Sequence, residues 1–226
     1  MKKKKRRYLL GDIIGICMAF VLFVIPFLFL IFNSLKDRKE ANLLRLSPPT
    51  VWQWGNYREV LAAGNGIIFT AFKNSILISA GAVALLILFS SMTGYVLQRR
   101  KDRLTKVVNV VILMGLMIPP AILPTIWILK GLHIYKTLAG IILVETALQT
   151  PFSVMLYRGF IASVPAELEE AGVIDGCGPF ALYRRIVFPL LKPVTATVII
   201  LNSVSVFNDF MNPQYIMTGR HTTTVQ

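Results

Sequence analysis

Residues 166–193 read AELEEAGVIDGCGPFALYRRIVFPLLKP, a polar segment with three glutamates, an aspartate, three glycines and an Arg-Arg pair. Local chemistry makes it a helix, a turn and a second helix. Pro165 fits a first helical turn, where a missing N–H does no harm, with Ser163 or Val164 at the cap. Glu167, Glu169 and Glu170 follow near the positive end of the helix dipole. Asp175-Gly176-Cys177-Gly178 ends the helix, since glycine takes left-handed backbone angles cheaply. Pro179 opens the next helix, Arg184 and Arg185 sit toward its end, and Pro189 is expected to interrupt it. Leu168, Ala171, Gly172 and Asp175 share one side of the first helix. Small residues in the middle of that side let another backbone approach.

The surrounding chain is of another character. It has 226 residues, 55% hydrophobic and only 15% charged, with a mean hydropathy of +0.64. This is membrane composition. Five apolar runs, 9–32, 72–97, 107–129, 137–157 and 190–211, are each long enough to cross a bilayer, which takes about 20 helical residues. The first follows MKKKKRR, but it is longer than a signal peptide's apolar region and no small-x-small cleavage site follows. It reads as a retained anchor.

Charge sets the orientation. With the N-terminus inside, segments 1–8, 98–106 and 158–192 hold 15 Lys+Arg, against nine in the outer segments 33–73, 130–136 and 212–226. The cytoplasmic side carries the excess in such proteins. The 1–8 tail and the 166–193 segment are therefore expected in the cytoplasm, and the net charge of +13 reflects topology rather than nucleic-acid binding. The outer loop 33–71 contains Pro48-Pro49, Trp52 and Trp54, which fit a loop lying on the membrane surface.

Catalytic and metal chemistry is not indicated. No Gly-Lys dipeptide occurs, which excludes a P-loop. The two histidines, His133 and His221, lie far from any cysteine pair, and Cys17 and Cys177 read as free thiols. No catalytic residue, metal site or bound cofactor is expected of this chain.

Glu170-Ala171-Gly172-x-x-Asp175-Gly176, nine residues, then Ile186-x-Phe188-Pro189 resembles the E-A-A-x-x-D-G-x9-I-x-L-P motif of ABC-importer membrane subunits. MIPPAILPTIWILKGL, PFSVMLYRGFIASVPAELEEAGVIDG, FPLLKPVTATVII and FNDF extend the likeness to the carbohydrate-uptake (maltose-type) permeases over residues 57 to 219. The resemblance implies an all-α polytopic membrane bundle with a core over 72–226 and an ATPase-coupling segment over 158–189. It implies that Glu169, Glu170, Ala171, Gly172, Asp175, Gly176, Ile186 and Pro189 form a coupling helix for the ATPase, with Glu170 meeting a basic group and Ala171 and Gly172 permitting close approach. It implies partners: ABC ATPase subunits that hold the ATP, a second homologous permease, an extracytoplasmic solute-binding protein and a sugar. Gly172 and Phe188 depart from the usual alanine and leucine. The family also has a sixth helix, so the C-terminal end is expected to be incomplete.

Polar residues inside the apolar runs need an account, because an ionisable group there costs about 2.5 kcal/mol or more. Glu145 and, four residues on, Gln149 share a face of the fourth run, and Asn202, Asn208 and Asp209 lie in the fifth. These five either line a translocation path and bind sugar hydroxyls or make interhelical hydrogen bonds that serve assembly. The leading reading is the permease subunit of an ATP-driven sugar importer in the cell membrane. The alternative is a non-transporting scaffold or sensor derived from one.

Overall fold

The computed structural model describes residues 2–217, 224 and 225. Arg220 and His221, both expected on the outer side, lie outside the described residues. Regular structure among the described residues is entirely helical. The chain divides into two units, Met1–Gly66 and Ile67–Gln226.

In the first unit, α1 (Lys2–Ala19) runs through a π turn (Phe20–Val24) into α2 (Ile25–Ser34). Gly11–Ser34 is long and apolar enough to cross a membrane. The π turn has a local cause. Pro26 would drive its ring into the carbonyl four residues back in a regular helix. The wider turn, closed by the Ile25 N–H on the Phe20 carbonyl, gives that ring room. Two short helices follow, α3 (Arg38–Ala41) and α4 (Gly55–Ala62). The loop between them is tied by Lys36, only 1% exposed, whose Nζ donates to the Arg45 carbonyl at 2.6 Å. Asn56 Nδ2 closes it further, donating to the carbonyls of Ser34 and Lys36 at 2.9 and 3.0 Å. Trp52 and Trp54 stack at 6.2 Å and are both exposed.

The second unit begins with α5 (Ile67–Arg99) and α6 (Arg103–Met117), followed by α7 (Ile122–Gly131) and α8 (Leu138–Ile161). Then come α9 (Glu167–Ile174), α10 (Pro179–Leu182), a π turn (Tyr183–Val187) and α11 (Phe188–Leu190), and finally α12 (Lys192–Phe207) and α13 (Met211–Ile216). The bundle is organised by α5 against α8, with α12 packed on both. Ile78, Ala82, Ile141, Val144 and Val206 fill one end of the core, and Tyr157, Ile161, Val187, Leu191 and Val198 fill the other.

Close approach of α5 and α8 depends on Gly94. A Cβ there would lie 2.8 Å from Tyr157 Cβ and 3.1 Å from the Arg158 backbone nitrogen. Backbone cannot step aside as a side-chain tip can. Gly94→Leu is therefore expected to destabilise the bundle by roughly 1–3 kcal/mol, the usual cost of overpacking. Thermal inactivation in detergent checks this, with Gly159→Leu, which meets nothing within 4 Å, as the harmless control.

Three of the expected spans appear as helices long enough to cross a membrane, Gly11–Ser34, Ile67–Arg99 and Leu138–Ile161, and a fourth counts if Pro179–Leu190 and Lys192–Phe207, bent by 73°, are one span. The expected span 107–129 is corrected: it is two helices, α6 and α7, parted at residues 118–121. Pro119 and Pro120 are the reason. A residue before proline is pushed to extended backbone, and Ile118 sits at φ −85°, ψ 119°.

The expected interruption at Pro189 is corrected too. The helix passes Pro189 through the Tyr183–Val187 π turn, the same device that admits Pro26, and breaks at Leu191 instead. Pro193 stands in the first turn of α12, where its missing N–H is tolerated.

The turn between α5 and α6 is capped by Asp102, whose Oδ1 accepts from the Thr105 N–H at 2.8 Å and Oγ1 at 2.7 Å. Those hydrogen bonds hold the carboxyl below its ordinary value of 3.8. A depressed value means the cap is intact above the ordinary range and is lost only as pH falls below it.

Candidate functional site

The segment after α8 folds as its turn residues dictate. Helix α9 ends in a reciprocal pair of hydrogen bonds, Cys177 N–H to the Gly172 carbonyl at 2.9 Å and Gly176 N–H to the Val173 carbonyl at 3.0 Å. This Schellman arrangement needs a left-handed residue, and Gly176 supplies it at φ +80°. Neither Ser163 nor Val164 caps α9. It begins at Glu167 after Ala166, without a side-chain cap, because Ser163 Oγ turns back to the Phe160 carbonyl at 2.7 Å and closes α8.

The eight coupling residues divide by the way they face. Gly172 is buried under the second helix, where a Cβ would fall 2.4 Å from Ile186 Cδ1 and 2.7 Å from Leu182 Cδ1. Glycine at this position thus seats Ile186 within the segment; it does not open a surface to another chain, and on that point the expectation is corrected. Glu169 also turns inward. Arg99 Nε donates to its Oε1 at 2.8 Å, the Arg99 Nη2 ion pair to the same oxygen is 2.8 Å, and Tyr95 Oη donates to Oε2 at 2.8 Å. Glu170, Ala171, Asp175, Gly176 and Pro189 remain exposed.

The sequence reading missed the apolar part of that exposed surface. Val173 is 59%, Ile174 85% and Phe180 67% exposed. These apolar side chains are left uncovered on the helix pair, and apolar surface of this kind marks sites of interaction when it is contiguous.

A second feature lies about 24 Å from the α9 end of α8, by the rise from Glu145 to Ile161. A cavity of about 670 Å³ is lined by Gly115–Pro120, Glu145, Leu148, Gln149, Phe152, Ser205, Asp209 and Asn212. The break between α6 and α7 thus forms one wall. Glu145 is 2% exposed. Asn212 Nδ2 donates both to Glu145 Oε1 at 3.3 Å and to Asp209 Oδ2 at 2.5 Å, joining α8 to the start of α13. Asp209 Oδ1 accepts from the Met211 N–H at 2.9 Å. Gln149 Nε2 donates to Ser205 Oγ at 2.7 Å. The lining offers both acceptors and donors, the chemistry that binds hydroxyl groups.

Glu145, Gln149 and Asp209 are thus brought together, and Asn202 and Asn208 are not. Asn202 is buried, donating to Ser153 Oγ at 3.2 Å and the Val198 carbonyl at 2.8 Å, an α12–α8 tie. Asn208 ends α12 beside Ile76, Ser79 and Phe207 in a separate depression of about 400 Å³. Ser205 and Asn212 are the polar cavity residues that the sequence left unmarked. Asn212 was hidden because the fifth run was taken to end at residue 211. Among the described residues no group of three His, Cys, Asp or Glu could hold a metal.

Comparison with known proteins follows the same lines. Residues 86–226 match the family model of the binding-protein-dependent transport system inner membrane component. The chain is similar to the probable starch degradation products transport system permease protein AmyC of Thermoanaerobacterium thermosulfurigenes, 30% identical over 94% of this chain and 76% of that one. It is similar to the melibiose/raffinose/stachyose import permease protein MelC of Bacillus subtilis, 35% identical over 82% of this chain and 67% of that one. In fold it matches a chain of the bacterial ABC transporter involved in the import of the acidic polysaccharide alginate, with a TM-score of 0.85, 18% identity and coverage of 98% and 78%.

Proposed function

The chain belongs to the binding-protein-dependent transport system inner membrane components, and from that premise we propose that it carries a sugar or oligosaccharide, driven by ATPase subunits docked on the α9–α11 segment. It is a multi-pass ABC importer permease and not itself an enzyme. ATP is held by the ATPase, a second homologous permease completes the path, and a solute-binding protein delivers the sugar from outside. The N-terminus and α9 are cytoplasmic, in keeping with the charge distribution.

The exposed apolar face of α9 and α10 carries this reading. Ile174 and Phe180 project from a helix pair whose geometry is closed by its own turn, so a partner's cleft receives a preformed shape. Glu170, exposed beside them, meets a basic group of the cleft. The sugar relatives and the hydroxyl-binding lining around Glu145 and Gln149 support the substrate class.

Two measurements test the proposal. The chain, co-expressed with ATPase and second permease, is expected to co-purify with the ATPase and to give ATP-dependent sugar uptake in vesicles supplied with binding protein. A complex that binds ATPase but does not transport would favour the scaffold reading, and no association would overturn both. Cys177, half-buried in the turn, is expected to cross-link to a cysteine placed in the ATPase cleft. Absence of product across several cleft positions would exclude docking there.

A further inference from the structure

One face of α5 ties the coupling segment at three points, Tyr183, Glu169 and the Val164 carbonyl just before α9. Ser91, Tyr95 and Arg99 recur every four residues and so stand in line on that helix. Ser91 Oγ and Tyr183 Oη are 2.5 Å apart. The Tyr95 ring lies 5.7 Å from that of Tyr183, and Tyr95 Oη donates to Glu169. Arg99 bonds Glu169 through Nε, and its Nη2 also reaches the Val164 carbonyl at 2.8 Å. One guanidinium therefore fixes both the entry to α9 and its middle, and both oxygens of Glu169 are claimed by α5. The two ion-pair side chains are 23% and 12% exposed, so water screens them only in part.

The chain that leads from the segment directly into α12 is a route of a different kind. The chain from α11 to α12 turns through 73° at Leu191, and a bent joint transmits translation poorly. The face of α5 meets the segment over about two turns, from Ser91 to Arg99, and α5 packs along α8 and α12.

We propose that the Ser91–Tyr95–Arg99 face is the grip by which displacement of the coupling segment enters the membrane bundle, with Arg99 as its positioning residue. The inference rests on the reading of α9 as the ATPase-coupling helix. It adds that the stroke is taken up by α5, 70 residues upstream of Glu169 in sequence, and not by the chain leading directly into α12. Loosening the grip lets α9 follow the ATPase without moving the spans, so hydrolysis continues and transport stops.

The test uses the assembled transporter with its ATPase, second permease and binding protein. Arg99→Gln is expected to keep ATPase co-purification and ATP hydrolysis while transport per ATP falls at least tenfold. Arg99→Lys, which keeps charge but loses the planar fork, is expected to fall between. The exchange Arg99→Glu with Glu169→Arg is expected to recover part of the ratio. Hydrolysis and transport that decline together, at an unchanged ratio, would reduce Arg99 to a structural tie and overturn the proposal. A wild-type complex that fails to associate would instead remove the underlying coupling reading.

A second readout does not depend on transport. In Cys17→Ser protein, spin labels at Cys177 and at Val96→Cys are expected to show one narrow distance distribution, broadened by Arg99→Gln. A distribution that stays narrow in the variant would also overturn the grip.

Discussion

Glu145→Ala is expected to lower ATP-driven uptake by roughly five- to a hundredfold. The side chain is 2% exposed and accepts one of the two hydrogen bonds donated by Asn212 Nδ2. Its removal leaves a partly buried donor short of a partner, which costs about 1–3 kcal/mol, and each 1.4 kcal/mol is about a factor of ten. The loss falls on the cavity, because Asn212 also sets the position of Asp209. Glu145→Gln keeps an acceptor oxygen and the same length, so it is expected to retain more uptake than alanine. Asn202→Val supplies the contrast: that residue ties α12 to α8 away from the cavity, so stability is expected to fall while apparent substrate affinity holds. Unchanged affinity and rate in Glu145→Ala would remove this residue from the pathway.

Gly176→Val is expected to reduce uptake about tenfold while leaving the amount of protein in the membrane near normal. Nothing lies within 4 Å of a Cβ at this position, so the penalty is wholly in the backbone. A branched residue held at φ +80° costs about 1–3 kcal/mol. The turn can escape that cost only by opening both hydrogen bonds that end α9. The spans do not depend on that turn, so the defect is confined to the coupling end. Asn tolerates left-handed angles, and Gly176→Asn is expected to keep most of the activity. A valine variant that transports like the parent would show that the α9 stop is not needed.

Much of this architecture was open to reading in one dimension because its causes are local. Gly176 stops α9, Pro179 starts α10, and apolar runs of more than 20 residues become α5 and α8. The third run shows the limit of length as a guide. Pro119 and Pro120 were visible, but the apolar run around them outweighed a backbone restriction that acts on only two residues, Ile118 and Pro119. Partners distant in sequence were harder still. Arg99 reads naturally as one more cytoplasmic charge, since nothing near it announces a carboxylate on α9. The inward facing of Gly172 had the same origin, because helical spacing fixes which residues share a side but not which neighbour covers that side. Ile174 and Phe180 carried no polar signal at all. The cavity was half visible: Glu145 and Gln149 stood out as polar groups in an apolar run, whereas Asn212 gained meaning only when α13 folded back toward α8.

Each π turn holds one residue more than a regular helix would need over the same rise. At 3.6 residues per turn that surplus residue is worth about 100° of rotation, so the Tyr183–Val187 turn acts as a phase adjuster. Upstream of it Leu182 faces Gly172, while Val187, its last residue, and Leu191 beyond it face the core. Deleting one residue from this stretch would shorten the chain by very little, yet it would swing every side chain from Phe188 to the joint at Leu191 through about a quarter-turn. The segment is therefore far less tolerant of a change in length than of a change in composition.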